Sequence, residues 1–289
     1  GIDQDVYAYG QKITEDLKER FSEIDETAEY NQLKVLRAFM DNGISERHFG
    51  SSTGYGYGDE GRETLDKVWA QVFGAEDALV RHNFTCGTHT LAVALFGVLR
   101  PGDKMLCVSG MPYDTLHSVI GLTGENMGSL KDYGIAFDCV PLKEEHLDYE
   151  AIAKAVDDTV TMVYIQRSRG YELRASLSLE ETQKVAEIAK EKNPNCIVMV
   201  DNCYCEFVNK QEPTQVGADL IAGSLIKNAG GMITGPFDSA VRSLLVGIIE
   251  LGVEEVMVIG HTDCGVAHIN ADMMIRHLIQ RGVSQDHID

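Results

Sequence analysis

The sequence has few basic residues for its length. Its 289 residues include 25 lysines and arginines but 45 aspartates and glutamates, so the formal net charge is −20 at pH 7. Nucleic acids and anionic lipid surfaces repel a chain of this charge unless a local basic patch outweighs the total. The sequence contains no such patch. We therefore expect neither a nucleic acid nor a membrane as a partner.

The sequence also lacks a long apolar run and a disulfide pattern. No run approaches the ~20 apolar residues that cross a bilayer, and the first residues carry neither the basic region nor the apolar core of a signal peptide. Cysteines are odd in number and scattered, at positions 86, 107, 139, 196, 203, 205 and 264. Such a distribution is typical of reduced thiols, and even Cys203 and Cys205 lack the spacing of most zinc knuckles. A cytoplasmic protein is expected.

Strand-like and helix-like segments alternate along the chain, and a hydrophobic content of 44% supports a sizeable core. Residues 5–40 carry aliphatic side chains at helical spacing, which predicts two helices in an amino-terminal arm at 1–50. A glycine-rich loop follows, then a helix at 62–73. Further strands are predicted at 78–81, 104–109, 136–141, 160–166, 196–201 and 218–224, with helices at 88–99, 149–156 and 179–192. This order predicts an α/β fold with a mostly parallel sheet and helices on both faces.

Three segments near predicted strand ends carry candidate cofactor chemistry. The turn Cys86-Gly87-Thr88-His89 leads into a helix whose first N–H groups can bind a phosphate, with an ordinary helix cap as the alternative. Asp201 closes an apolar strand, where a carboxylate suits a pyridinium nitrogen or simply caps a turn. Lys227 follows Ser224 by three residues, as a Schiff-base lysine does, although an exposed loop lysine has the same spacing. Together, in this order, the three features indicate a pyridoxal-phosphate site.

Residues 1–231 resemble one known family. The matching strings are Ser-Thr-Gly-Tyr-Gly-Tyr-Gly-Asp at 52–59, Gly-Thr-His at 87–89, Leu-Arg-Pro-Gly-Asp at 99–103, Met-Pro-Tyr-Asp-Thr-Leu at 111–116, Gln-Arg-Ser-Arg-Gly-Tyr at 166–171, Asp-Asn-Cys-Tyr at 201–204 and Ala-Gly-Ser-Leu-Ile-Lys-Asn at 222–228. They are similar to the pyridoxal-phosphate family related to methionine gamma-lyase, often called aluminium-resistance proteins, of the aspartate-aminotransferase fold type. The resemblance implies a cofactor-binding large domain at 51–231 and the elimination of a sulfur-containing side chain from an amino acid.

The same resemblance implies a role for each candidate residue. It assigns Lys227 as Schiff-base lysine and proton shuttle, Asp201 to the pyridine nitrogen, His89 to the ring face, Cys86, Gly87, Thr88 and Ser224 to the phosphate, and Tyr55 and Tyr57 to a neighbouring subunit's site. A homo-oligomer is therefore implied; without the resemblance, the Tyr-Gly loop is typical of a flexible surface connection. Arg167 and Arg169 are candidates to bind a substrate carboxylate, with capping of the charged surface as the alternative.

After Gly231 the family pattern stops. Residues 226–289 resemble part of a β-class carbonic anhydrase, on Lys-Asn-Ala-Gly-Gly at 227–231, Arg-Ser-Leu at 242–244 and His-Thr-Asp-Cys-Gly at 261–265. A helix at 237–251 and a strand at 255–259 are predicted in this fragment, which we delimit at 232–289. The resemblance implies zinc at His261 and Cys264, but the further Cys-x-Asp-x-Arg ligand motif of that family is missing, so the site is incomplete.

Both resemblances meet on the string Ile-Lys-Asn-Ala-Gly-Gly at 226–231, which predicts a chimera joined there. The preferred function is a pyridoxal-phosphate-dependent lyase of sulfur-containing amino acids. A partial carbonic-anhydrase-like zinc module and a non-catalytic scaffold are the alternatives.

Overall fold

Five parallel strands form one sheet in this computed structural model, which describes residues 3–50, 52, 55, 57–81, 83–124 and 128–224. The strands are β1 (Lys104–Cys107), β2 (Ala136–Cys139), β3 (Met162–Gln166), β4 (Ile197–Asp201) and β5 (Leu220–Ala222). Their order is β2-β1-β3-β4-β5, and every neighbouring pair is parallel. The strand order reverses between β1 and β3, and in open sheets of this kind ligands bind beside such a reversal, at the carboxyl ends of the strands.

Seven α-helices and three short 3-10 helices complete the described part of the chain. The α-helices are α1 (Gln4–Asp16), α2 (Lys18–Asp41), α3 (Glu60–Phe73), α4 (Gly87–Val98), α5 (His117–Ile120), α6 (Tyr149–Ala155) and α7 (Leu179–Lys192); the 3-10 helices are Glu46–Phe49, Asp114–Leu116 and Pro213–Val216. Capping explains where α7 begins. The Ser178 hydroxyl accepts from the Glu181 N–H at 3.1 Å, and the Glu181 carboxylate accepts from the Ser178 N–H at 2.8 Å.

Helices cover both faces of the sheet because strand residues alternate between two cores. On one face, Met105, Met162 and Met199 pack with the buried leucines of α4 and with Ile120 of α5. On the other face, the intervening strand residues pack with Ile152 of α6 and with Val185, Ala186 and Ala189 of α7. This alternation follows from the two-residue period of a strand. The predicted sheet and its two helical layers are therefore confirmed.

A third, smaller core ties the amino-terminal helices to the sheet. Ala38 of α2 and Val68, Val72 and Phe73 of α3 are buried together, and Phe207 packs against them. The rings of Phe73 and Phe207 lie 5.4 Å apart in an edge-to-face arrangement. Helix α1, in contrast, has no buried residue.

One predicted strand is wrong. Residues 78–81 do not pair with the sheet, because donor groups of Val80 and Arg81 bind a carboxylate instead. The Val80 N–H and the Arg81 guanidinium both donate to Oδ1 of Asp66 in α3, at 2.8 and 2.7 Å. The other five predicted strands and the predicted helices of residues 5–192 are present with small shifts at their ends. The helix and strand predicted at 237–251 and 255–259 lie outside the described residues.

No helix within the described ranges has the length and apolar content needed to cross a membrane.

Helix α4 depends on Leu95, whose side chain is fully buried between the helix and the sheet. We predict that Leu95→Ala lowers the free energy of unfolding by about 3 kcal/mol, because it leaves a cavity in a packed core. Val93→Ala on the exposed side of the same helix is the control and should change it by less than about 0.5 kcal/mol. Urea denaturation measures both, and equal effects would contradict the assignment of the two faces.

Candidate functional site

The turn before α4 places two free donors at one end of the sheet. Cys86 is the N-cap residue, and its Sγ accepts from the His89 N–H at 3.4 Å. No group among the described residues accepts from the N–H of Gly87 or Thr88. These first-turn N–H groups carry the positive end of the helix dipole, so the turn is suited to an anion such as a phosphate.

His89 is oriented by its neighbours on the same turn. Its ring is exposed, meets Phe84 edge-on with centroids 5.8 Å apart, and accepts the Thr85 N–H at Nδ1 at 3.3 Å. Because Nδ1 accepts, the neutral ring carries its proton on Nε2. The structure thus fixes the imidazole at the mouth of the turn, next to the predicted phosphate site.

Hydrogen bonds join this turn to the carboxyl ends of β1 and β3. The Thr88 and Thr115 hydroxyls lie 2.8 Å apart, and Thr115 belongs to the segment that follows β1. In the same segment the Tyr113 N–H donates to Oε1 of Gln166, the last residue of β3, at 2.6 Å. The predicted phosphate turn therefore lies at the sheet edge where bound ligands are expected.

Asp201 ends β4 at the same edge, level with Gln166 in β3 and Ala222 in β5. It is buried, with 5% of its surface exposed. Oδ2 accepts from the Tyr164 hydroxyl at 3.1 Å and Oδ1 from the Cys203 N–H at 3.0 Å. Burial raises the pKa of Tyr164 well above its ordinary value, and the Asp201 charge raises it further, so this phenol remains a donor. The carboxylate is thus held in a fixed orientation.

Glu206 fixes the turn that follows β5. Its Oε1 accepts the Ser224 N–H at 2.6 Å, and a Cβ atom on Gly223 would lie only 2.4 Å from that oxygen. Position 223 therefore has to be glycine unless the carboxyl group moves. Burial raises the pKa of Glu206 above its ordinary value, and the nearby charges of Asp201 and Glu212 raise it further. The backbone just before Lys227 is thereby held against a buried acid.

Arg167 anchors the loop after β4 from inside the protein. Only 2% of its surface is exposed, and its guanidinium donates to Oδ1 of Asn202 and to the Cys205 carbonyl at 3.1 and 3.2 Å. It also donates to the Leu177 carbonyl at 3.1 Å and to Oδ1 of Asn209. Because the side chain is buried, Arg167 does not cap the charged surface, and its role at a substrate carboxylate stays a prediction.

The hydrogen bonds of Arg167 continue to a second buried acid. Nδ2 of Asn202 donates to Oε2 of Glu212 at 3.1 Å, and Oε1 of Glu212 accepts the Phe207 N–H at 2.9 Å. Asn202 and Glu212 are completely buried. Arg169, the second candidate for the substrate carboxylate, is exposed. Of the two arginines, it is the one that solvent reaches.

Other predicted site residues lie outside this cluster or outside the described residues. Tyr55 and Tyr57 are 82% and 91% exposed. Lys227, His261 and Cys264 lie outside the described residues, so the covalent lysine and the zinc ligands remain predictions. Within residues 3–224, leaving aside the few undescribed positions, no group of three His, Cys, Asp or Glu side chains is arranged to hold a metal.

Sequence reasoning missed Tyr164 and Glu206. Tyr164 has a hydroxyl within a strand that is otherwise apolar up to Gln166, and a buried hydroxyl needs a partner. That signal was available. Glu206 follows Asp201 by five residues, but only the fold brings it to Ser224, 18 residues further along the chain.

Comparisons with known proteins show the family to which the chain is similar. The methionine gamma-lyase family model matches residues 6–238. The uncharacterised Bacillus subtilis protein YnbB is 48% identical over 222 residues, which are 76% of this chain and 53% of that protein. A crystal structure of a carbon-sulfur lyase involved in aluminium resistance from Clostridium novyi is 50% identical with a TM-score of 0.75, over 78% of this chain and 54% of that one. The chain thus spans about half the length of these two relatives.

A second, shorter similarity concerns a different family. The Bacillus subtilis protein YtiB, provisionally named a carbonic anhydrase, is 43% identical over 65 residues, which are 22% of this chain and 35% of that protein. The two resemblances found in the sequence are both confirmed.

We predict that Glu206 makes stability depend on pH. In the interval between the ordinary glutamate pKa of 4.5 and the raised value, the folded protein holds a proton that the unfolded chain has lost. Stability contributed by this group therefore falls as pH rises through the interval. Glu206→Gln cannot ionise but keeps an oxygen for the Ser224 N–H, so its stability relative to the wild type should rise between about pH 5 and about pH 7.

Urea midpoints at both pH values measure this difference. Glu191→Gln, at an exposed position of α7, is the control and should show no such change. If the stability difference between Glu206→Gln and the wild type does not change with pH, the raised pKa of the buried Glu206 is contradicted.

Proposed function

Because the chain belongs to the methionine gamma-lyase family, we propose that it is a pyridoxal-phosphate-dependent lyase that cleaves the carbon–sulfur bond of an amino acid. The observation that carries this proposal is the buried Asp201 carboxylate, oriented by Tyr164 at the sheet edge to which the Gly87–Thr88 turn is also joined. The substrate class and the activity extend from the family to this chain as a proposal, since the chain spans about half of its relatives.

The residues present fit the proposed cofactor. Its phosphate needs donors, and the N–H groups of Gly87 and Thr88 find no acceptor among the described residues. Its ring nitrogen needs a fixed anion, which Asp201 supplies at the end of β4. Ser224 adds a hydroxyl three residues before Lys227 in the sequence, and the bond from its N–H to Glu206 fixes its backbone.

Each residue then has one task. Pyridoxal phosphate, when bound, withdraws electrons from the substrate Cα and so makes its proton removable. Asp201 keeps a proton on the ring nitrogen through its negative charge, and Tyr164 keeps that carboxylate in place. Lys227 would hold the cofactor covalently until the substrate amine displaces it, and its freed amine would then take the proton from the substrate Cα. The exposed Arg169 binds the substrate carboxylate, since a guanidinium pairs with it in a bidentate manner.

We propose that the enzyme is a homo-oligomer in the cytoplasm. Large apolar side chains on α1 and α2 are about half exposed, among them Tyr7, Phe21, Ile24 and Leu33. Apolar surface of this kind supports association with a second copy, where the exposed Tyr55 and Tyr57 reach the neighbouring site. The free cysteines of the described residues suit a reducing compartment. Light scattering gives the mass in solution, and a monomer at all concentrations would contradict this assembly.

A second candidate function is zinc binding at His261 and Cys264, which the similarity to YtiB supports. Two protein ligands are fewer than the three plus water that catalytic zinc uses, so hydration of carbon dioxide is not proposed. The two similarities also support a chimera joined at 226–231, although the methionine gamma-lyase model extends to residue 238.

The cofactor proposal predicts one covalent attachment site. The full chain is incubated with pyridoxal phosphate, reduced with borohydride, digested and analysed by mass spectrometry. We expect a phosphopyridoxyl group on Lys227 and on no other lysine in stoichiometric amount. Asp201→Asn should lower activity at least about a hundredfold, because a neutral amide does not hold the ring proton, while Lys227 is still labelled.

The control is Asp219→Asn, which changes an acid that pairs with Lys190 away from the carboxyl ends of the strands. This variant should retain activity. Label spread over surface lysines would overturn the cofactor proposal. Metal analysis of the same preparation tests the second candidate, for which stoichiometric zinc without lysine labelling is the expected result.

A further inference from the structure

Two cysteines lie side by side on neighbouring strands, and one of them, Cys107, is also the register partner of Tyr164. Cys107 ends β1 and Cys139 ends β2, and the two are direct partners in the parallel register. Directly opposite residues of adjacent strands point to the same face of the sheet. Both side chains belong to the core beneath α4 and α5, Cys107 fully buried and Cys139 at its margin. The structure therefore holds a pair of thiols rather than two isolated ones.

The two thiols differ in access and in acidity. Cys107 is completely buried, and its Sγ donates to the Gly110 carbonyl at 3.0 Å. Cys139 is partly exposed, because β2 is the edge strand of the sheet. Burial raises the pKa of Cys107, whereas the neighbouring Cys107 side chain lowers the pKa of Cys139. Burial also raises the pKa of Cys196, and that of Cys205 to about 11. Cys139 thus combines partial exposure with a lowered pKa, which are the properties of a reactive thiol.

We propose that Cys139 and Cys107 form a peroxide-reactive dithiol, in which Cys139 is oxidised first and Cys107 then closes a disulfide. In the first step the Cys139 thiolate attacks hydrogen peroxide. An S–O bond forms, the O–O bond breaks, and hydroxide leaves, so that sulfur is oxidised to a sulfenic acid and the peroxide is reduced. In the second step the Cys107 sulfur attacks the Cys139 sulfur. The S–O bond breaks, and the departing hydroxide takes the Cys107 proton and becomes water.

The sheet allows this bond. Neighbouring strands lie about 4.8 Å apart, within the ~4.4–6.8 Å range of Cα separations that disulfides bridge. On its outer side β2 pairs with no other described strand, so it can move toward β1 without breaking a second strand pair. Oxidation also removes the proton that Cys107 donates to the Gly110 carbonyl, in the segment that leads to Tyr113.

Peptide mapping tests the dithiol on the wild-type chain. The reduced protein is treated with hydrogen peroxide under native conditions, free thiols are blocked, and the chain is digested with trypsin without reduction. Cys107 is the single cysteine of tryptic peptide 105–131, and Cys139 is the single cysteine of peptide 132–143. We expect these two peptides joined, with the loss of two hydrogens, and separated again by dithiothreitol.

Three variants sharpen the result. Cys139→Ser should abolish the link, and Cys107→Ser should leave a sulfenic acid on Cys139 that dimedone traps. Cys86→Ser, at an exposed thiol that lies outside the pair, should leave the link unchanged. The proposal would be overturned if Cys139 is oxidised to sulfinic acid without a link in the wild type, or if oxidation is confined to Cys86. None of these outcomes depends on pyridoxal phosphate, so the dithiol is tested independently of the proposed function.

Discussion

A buried chain of hydrogen bonds from Arg167 through Asn202 to Glu212 holds the loop that follows β4. Each member is at least 98% buried, and the Asn202 amide accepts from the cation and donates to the acid. A buried polar group that loses a partner costs free energy, so removing Arg167 leaves the Asn202 oxygen without its donor, and removing Asn202 separates the buried Arg167 from the buried Glu212. Arg167 therefore lies in the interior of the protein rather than in solvent.

This loop positions two groups of the candidate site. It begins directly after Asp201, and the Asn202 N–H donates to the Ala222 carbonyl of β5 at 2.8 Å. It continues to Glu206, which holds the Ser224 N–H. Asp201, which is proposed for the cofactor ring, and the backbone at Ser224 thus share one support. In our account, the electrostatic preorganisation of the site comes from the network behind it rather than from the site residues alone.

The sequence allowed the layers of the fold to be predicted better than the contacts of the site. Strand ends such as Asp201 were predictable because an acid after four apolar residues breaks a clear pattern. Residues 78–81 have the same apolar character, but the Asp66 carboxylate, 14 residues earlier, takes the Val80 N–H. For Arg167, the sequence left substrate binding and surface capping as alternatives, because its burial depends on Asn202 and Asn209 some 40 residues later. The local sequence pattern shows the periodicity of helices and strands. Tertiary packing decides which polar side chains are buried.

The hydrogen bonds of Arg167 support both the loop that follows β4 and the backbone at Ser224. Amide hydrogen exchange at Phe207 and Ser224 tests this support most directly, in Arg167→Ala and in Arg169→Ala as the matched exposed control. We expect both amides to lose protection in Arg167→Ala, because their acceptors Glu212 and Glu206 lose the supporting loop, while the β1 amides stay protected. Unchanged protection at Phe207 and Ser224 in Arg167→Ala would contradict the account, as would an equal loss in Arg169→Ala.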